Sequence, residues 1–331
     1  MKNGECGMIT SLVYRGNKFS ALNPAPETLA AVREEPGALL WVDLSNPTDE
    51  EIKFILDSTF HFHPLAIEDC VSDAPVPKVE MYDDCMHLVM HAVTCDDEEL
   101  FKTNEIDLFV GRNFLVSYHR APQPVIESVL ERMSKTSSAL VRGPDRFAHT
   151  ILDGMVDGYK PFLETLRLQV EGLAQRVIQR IDAEELFPRI VALRKQLSQL
   201  RQIVRPQRAV ALELAQGKNR YIRNVMLPYM RDLEEELGRI ETQAASLSDQ
   251  LILSFRIFLN KTNHEANAGI RVMTAITALT FPTILIGGWY GMNFLDDMPE
   301  LKMRYGYLCA AVAALLGTVG VWIFMRCKKW L

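Results

Sequence analysis

Residues 286–302, "IGGWYGMNFLDDMPELK", set glycines, an aromatic pair, one Asn and a small acidic cluster between two long runs that carry no charge. Carboxylates in such a place, Asp296, Asp297 and Glu300, raise the local concentration of cations at an opening. Trp289 and Tyr290 suit the boundary between lipid and water. The chain otherwise offers little for covalent chemistry. Its six cysteines, Cys6, Cys70, Cys85, Cys95, Cys309 and Cys327, contain no CxxC, which argues against a zinc ribbon or redox motif and suits a reducing compartment. His61 and His63 form an HxH. Pro64 follows directly, so His63 reads as the residue before a helix rather than as a zinc ligand. No GxxxxGK[ST] occurs, so a phosphate loop has no support, and no nucleophile and base pairing seeds an enzyme.

The elements that must position the 286–302 stretch are two apolar spans. Residues 272–295 contain no charge, and at 1.5 Å per residue about 20 of them cross a hydrocarbon core of roughly 30 Å. Residues 305–325 form a second such run. Core helices of a soluble protein are the alternative, but helices of this length and purity are rare in soluble folds. The connection, 296–304, is too short to be a domain. Arg256, Lys261 and Arg271 precede the first span, and Arg326, Lys328 and Lys329 follow the second. The loop holds only Lys302 and Arg304, opposed by its acids. Both termini are therefore expected in the cytoplasm, with the loop outside. The first twenty residues lack the apolar core of a signal peptide, which agrees with a cytosolic N-terminal part.

Across 331 residues, 48% are hydrophobic and 24% charged, with a net charge of −6. That average hides an asymmetry, because the sustained apolar sequence is concentrated in about the last 60 residues. A sequence pI near 5.7 without a basic stripe excludes nucleic acid as the expected partner and favours cations. The first 120 or so residues read as α/β: "MITSLVY", "LLWVDL", "CMHLVMHAV", "EIDLFVG" and "NFLVSYH" as strands, the last two joined at Gly111, Arg112 and Asn113, with "TDEEIKFILDS" as a helix. From about Pro124 helix formers dominate, and Pro144, Pro161, Pro188, Pro206 and Pro228 stand as the interruptions. Leu233, Leu237, Ile240, Ala244, Leu247, Leu251, Phe255 and Phe258 approximate a heptad seam on a helix expected to run unbroken from about Pro228 to Gly287. Such a seam calls for partners, and packing of the helix on its own domain is the alternative. One transmembrane hairpin cannot enclose a path, so assembly of copies around an axis answers both needs. The expected domains are 1–227, an α/β part with a helical layer; 228–270, the cytoplasmic part of the stalk helix; and 271–331, two transmembrane helices with an external loop at 294–304.

"YGMNF" after a first span, then "MPEL" and a second span ending in "RCKKWL", resembles the CorA family of divalent-cation channels. The likeness extends to "WVDLSNPTDEE", "HPLAIEDC", "PKVEMYDD" and "EANAGIRVMTAITALTFP". It implies a homopentamer with an N-terminal α/β funnel domain and a long stalk helix continuing into the first of two C-terminal transmembrane helices. Gly291, Met292 and Asn293 then form the selectivity filter. Mg²⁺ releases its water reluctantly, and the Asn293 carboxamide can accept hydrogen bonds from the waters of a hydrated ion without trapping it as carboxylates would. Gly291 permits a bend that aims the ring inward, while Gly287 and Gly288 allow close helix approach.

The axis-facing set at helical spacing is Asn267, Ile270, Met273, Thr274, Thr277, Phe281, Ile284 and Gly288, polar zones broken by an apolar constriction; the alternative is that Thr274 and Thr277 only bond back to their own helix. Phe281 stands where many relatives have Met or Leu. Glu68, Asp69 and Asp232, and less directly Asp153 and Asp157, match positions where the family places cytosolic regulatory cation sites. Mg²⁺ is thus the expected ion both transported and regulatory, with Zn²⁺, Co²⁺ or Ni²⁺ as further candidates. Membrane lipid and copies of the chain are the other partners, in the cytoplasmic membrane. A zinc transporter on the same scaffold is the near alternative. A membrane-anchored sensor is the alternative from another class, although an anchor needs no Asn after a Gly at its outer end and no hydroxyl-rich span face.

Overall fold

The computed structural model describes residues 8–16, 18–72, 76–95, 101–135, 143–179, 183–292 and 304–328. By internal packing the chain divides into two units, Met1–Leu253 and Ser254–Leu331.

The first unit is built on a seven-stranded sheet of β1 (Met8–Arg15), β2 (Lys18–Leu22), β3 (Ala38–Ser45), β4 (Lys78–Met81), β5 (Met86–Cys95), β6 (Phe101–Val110) and β7 (Phe114–His119). Their order is β2-β1-β3-β7-β6-β5-β4, and neighbours are antiparallel except β3 with β7. β3 and β7 are buried along nearly their whole length, which is why "LLWVDL" and "FLVSY" read as near-continuous apolar runs rather than as alternating ones. One face of the sheet, with Val13, Leu40, Val42, Leu44, Phe109 and Val116, packs on α1 (Leu29–Glu34), α2 (Asp49–Ile52) and α3 (Pro64–Val71). The other carries Trp41 and Tyr14 against Phe147 of α5 (Pro144–Gln179), with ring centroids 5.5 and 5.6 Å apart.

Helix starts follow local chemistry. Thr48 and Glu51 form a reciprocal capping box at α2, which widens into a π-helical segment, Lys53–Thr59. His63 caps α3, its Nδ1 accepting from the Leu65 N–H at 3.2 Å, as the position of Pro64 predicts. The strands expected from sequence are present. The edge strands β2 and β4 were not foreseen: at five and four residues they are too short and mixed to show a period.

A helical layer follows, of α4 (Pro124–Lys135), α5 and α6 (Ala183–Ala215). Pro161 lies inside α5, and Pro188 and Pro206 inside α6, so these prolines do not interrupt as expected. A proline removes one backbone hydrogen bond. The buried faces on either side, including Tyr159, Phe162, Leu163 and Leu166 on α5 and Leu197, Leu200 and Val204 on α6, hold the helices through it.

The helix α7 runs Leu227–Tyr290, 64 residues, close to the expected extent. Its heptad seam has a different partner from the one expected. Leu233, Leu237, Ile240, Ala244, Leu247 and Leu251 are buried within the chain itself. Ion pairs tie the flanks of the same helix to its neighbours, Lys160 of α5 to Glu236 at 3.1 Å and Arg208 of α6 to Glu234 and Glu241 at 2.8 and 3.1 Å. The seam is therefore spent on the chain's own domain, and only Phe255 and Phe258 at its end stay half-buried.

In the second unit, the C-terminal part of α7 is followed by α8 (Gly306–Cys327). These are the two helices, among the described residues, long and apolar enough to cross a membrane.

Candidate functional site

Two faces of α7 in the second unit differ in what covers them. Ala275 is buried, and Leu279, Pro282 and Ile286, at helical spacing from it, are half-buried. Pro282 meets α8 so closely that a Cβ on Gly317 would lie 3.0 Å from the Pro282 Cβ. At about 100° per residue, Ile270, Met273, Thr277, Ile284 and Gly288 point to the opposite side. They are exposed, Met273 at 74% and Ile284 at 67%. Asn267, Thr274 and Phe281 are exposed on one flank. There a groove opens between Met273, Thr274, Thr277 and Phe281 of α7 and Val321 and Phe324 of α8, so Met273 and Thr277 also border this flank.

The hydroxyls on this helix are turned onto their own backbone. Thr274 donates to the Ile270 carbonyl at 2.8 Å and Thr277 to the Met273 carbonyl at 2.9 Å. That spends each hydrogen and leaves the oxygen lone pairs as acceptors, the polarity that the outward-pointing hydrogens of a cation's water shell require.

At the end of α7, Gly291 N–H donates to the Gly287 carbonyl at 2.9 Å, and a Cβ on Gly291 would lie 2.8 Å from that oxygen. The glycine is thus required by close approach of backbone to backbone. Its φ is not positive, and the bend expected there concerns Asn293, which lies outside the described residues. Gly287 and Gly288 have open space where a Cβ would be, and Met292 is half exposed. Asn293, Asp296, Asp297 and Glu300 lie outside the described residues.

The acids expected to hold regulatory cations fall into separate groups. Glu68 is exposed on α3. Its neighbour Asp69 accepts from Lys78 Nζ at 2.5 Å. Asp232 on α7 and Asp153 on α5 are both exposed, and both act on the imidazole of His149, which burial nevertheless holds below its ordinary pKa. Asp157 pairs with Lys160 at 2.8 Å. Asp153 and Asp232 thus share an influence on His149, while Glu68 and Asp69 lie on another element, α3.

Sequence reasoning missed a polar group on the α3 side of the sheet. Lys78 Nζ bridges Asp69 and, at 3.0 Å, Glu80. Beside them His87 Nε2 lies 2.7 Å from Asp107 Oδ1, with both residues buried. Burial pushes the Asp107 carboxyl up, to about 8, and the His87 imidazole down, to about 4. The only sequence signal was His87 at an inward position of an alternating strand.

The family model described as "CorA-like Mg2+ transporter protein" matches residues 36–329. The chain is 29% identical over 298 residues to YfjQ of Bacillus subtilis (strain 168), spanning 90% of this chain and 92% of that one. It is 25% identical over 296 residues to the cobalt/magnesium transport protein CorA of Thermotoga maritima, 88% of this chain and 83% of that one. The complete structure of the CorA magnesium transporter from Methanocaldococcus jannaschii is similar with a TM-score of 0.80 at 20% identity, covering 97% of this chain and 98% of that one.

Proposed function

The chain belongs to the CorA-like Mg²⁺ transporter family of divalent-cation transporters, and from that premise we propose that it forms a homopentameric channel for hydrated divalent cations, Mg²⁺ first and Co²⁺ or Ni²⁺ as lesser substrates. It would sit in the cytoplasmic membrane with both termini inside. The observation that carries the reading is the division of α7 into a face covered by α8 and an uncovered one bearing Ile270, Met273, Thr277, Ile284 and Gly288. A span whose uncovered face sets the Thr277 hydroxyl among bulky apolar groups, with Asn267 and Thr274 on its flank, suits the lining of a path. One span cannot surround a hydrated ion, so copies of the chain supply the rest of the wall. The oxygens of Thr274 and Thr277 and the carboxamide of Asn293 accept from the ion's waters, and Met273, Phe281 and Ile284 form stretches that dewet when the path narrows. Asp296, Asp297 and Glu300 collect cations at the outer mouth.

No ATP is needed. A divalent ion crossing 100 mV gains about 4.6 kcal/mol, twice the roughly 2.3 per unit charge, enough for a concentration ratio of about two thousand. The test is flux into proteoliposomes at a potential negative inside, with Mg²⁺, Zn²⁺, Co²⁺ and Ni²⁺ in parallel. Mg²⁺ should be carried best, and its uptake should collapse when the potential is dissipated. Zn²⁺ carried in preference to Mg²⁺ would replace this reading with zinc transport on the same scaffold, and no flux at all would leave an anchored sensor.

Regulation is the second part of the proposal. Mg²⁺ bound by Glu68, Asp69 and Asp232 at contacts between copies offsets the repulsion of the acids and favours a closed arrangement. Asp232 is exposed, which suits it to such a contact, and Asp153 acts on the same imidazole, that of His149. Asp232→Asn should therefore weaken the protection that Mg²⁺ gives against proteolysis of the N-terminal unit. Protection equal to that of the unaltered chain would remove Asp232 from the site.

A further inference from the structure

We propose that Asp69, Glu80 and His87 form, within a single chain, a binding site for a borderline transition-metal ion of the Co²⁺, Ni²⁺ and Zn²⁺ class, held closed in the metal-free protein by the ammonium of Lys78. A carboxylate oxygen of Asp69, one of Glu80 and a ring nitrogen of His87 lie within 4.8 Å of one another. Three elements bring them there. Glu80 on β4 is the register partner of His87 on β5, which puts both side chains on one face of the sheet, and α3 delivers Asp69.

The cluster is more than a group of acids, because its third member is fully buried and half satisfied. His87 has no solvent exposure, its Nε2 is engaged by Asp107 at 2.7 Å, and its Nδ1 has no hydrogen-bond partner among the described residues. A histidine that ligates a metal almost always donates its other ring N–H to a carboxyl or carbonyl, which fixes the tautomer and turns the lone pair to the ion. Asp107 supplies that hold. It belongs to β6, two residues from Phe109, which pairs with His87 in the sheet and stacks on its ring at 4.4 Å. The imidazole is thereby fixed in orientation before any ion arrives. Burial also keeps it neutral, the form that can ligate.

Lys78 marks the place of the ion. Its Nζ lies 2.5 Å from Asp69 Oδ2 and 3.0 Å from Glu80 Oε1, so a single positive charge offsets only half the charge of the two carboxylates. A divalent ion with a nitrogen ligand to draw on can displace it, and the Lys78 side chain, 30% exposed, has solvent to withdraw into. Mg²⁺ gains little from an imidazole, whereas Co²⁺, Ni²⁺ and Zn²⁺ accept mixed nitrogen and oxygen sets. The site therefore selects by ligand type. It needs no path through the membrane, so transport is not its premise, but it claims Asp69, which then cannot also serve the Mg²⁺ site between copies.

The test is a titration of the full-length chain in detergent with Co²⁺, without Mg²⁺, which would compete for Asp69, followed by its visible absorption. One Co²⁺ per chain should bind, with imidazole scattering in the Co-edge X-ray absorption spectrum. Glu80→Gln, at a partly exposed position, should weaken binding roughly tenfold or more. Lys78→Met should tighten it, because the competing ammonium is gone. His87→Gln, if folded by circular dichroism, should remove the imidazole signal. Absence of that signal from the unaltered chain, or Co²⁺ binding indifferent to Glu80→Gln and Lys78→Met, overturns the proposal. Mg²⁺ uptake is followed in the same variants. A chain that binds Co²⁺ here and carries no Mg²⁺ would overturn the transport reading and support this one.

Discussion

Asn293→Ala should reduce Mg²⁺ uptake to background while the protein still assembles. If the carboxamides of neighbouring copies hold a hydrated ion at the mouth, the substitution deletes every carbonyl of the ring together. Each lost water-mediated contact is worth about 1 kcal/mol, so five would remove several kcal/mol of ion recognition. The side chain is proposed to face water and not a packed neighbour, so native mass should be unchanged. Asn293→Asp is the sharper comparison. It keeps the shape and adds a ring of charge that binds cations more tightly and releases them more slowly, giving block or altered selectivity. An Ala variant that assembles and carries Mg²⁺ at the unaltered rate would reduce the GMN stretch to a helix terminus at the membrane surface.

Trp41→Ala should be the most damaging single change in the N-terminal unit. Trp41 has no solvent exposure, lies on the central strand β3 and packs on Phe147 of α5, joining the sheet to the helical layer. Truncating a buried Trp costs about 3–5 kcal/mol. Here it also removes the donor that reaches Ser117 Oγ at 3.0 Å, within a buried chain in which Ser117 donates to Asp43 at 2.5 Å. At roughly 2–4 °C per kcal/mol for a unit of this size, the melting midpoint followed by far-ultraviolet circular dichroism should fall by about 10 °C. Trp41→Phe, which keeps an aromatic body and loses only the hydrogen bond, should fall by less. A drop of only a degree or two in the Ala variant would mean that the layer is held elsewhere.

How much could be read from sequence depended on the range of the interaction. "LLWVDL" and "NFLVSYH" announce central strands because both their faces are buried, and His63-Pro64 announces a helix start because capping is local. The heptad spacing of Leu233 to Leu251 was a true report of burial and said nothing about which surface does the burying. α5 and α6 flank that helix inside the same chain. Proline at 161, 188 and 206 misled for a related reason: local cost is visible in sequence, and the tertiary packing that outweighs it is not. The uncovered face of the first span followed from period alone once α8 was known to lie along Ala275 and Pro282. The group of Asp69, Glu80 and His87 was illegible, since its members come from a helix and two strands brought together only by sheet register. Asn293 and the acids after it carry the clearest chemical signal in the sequence and lie outside the described residues.

The sheet ends on both sides in a short strand, β2 with five residues and β4 with four, each containing a lysine, Lys18 and Lys78. An open strand edge is an adhesive, because its unpaired amides and carbonyls accept any other strand, and brevity and charge are what blunt it. For a chain expected to gather copies of itself this matters during biosynthesis, when newly made N-terminal units are crowded along one membrane before their spans have found each other. Blunt edges oppose strand-to-strand zipping in that crowd and so favour contacts between helices for drawing copies together.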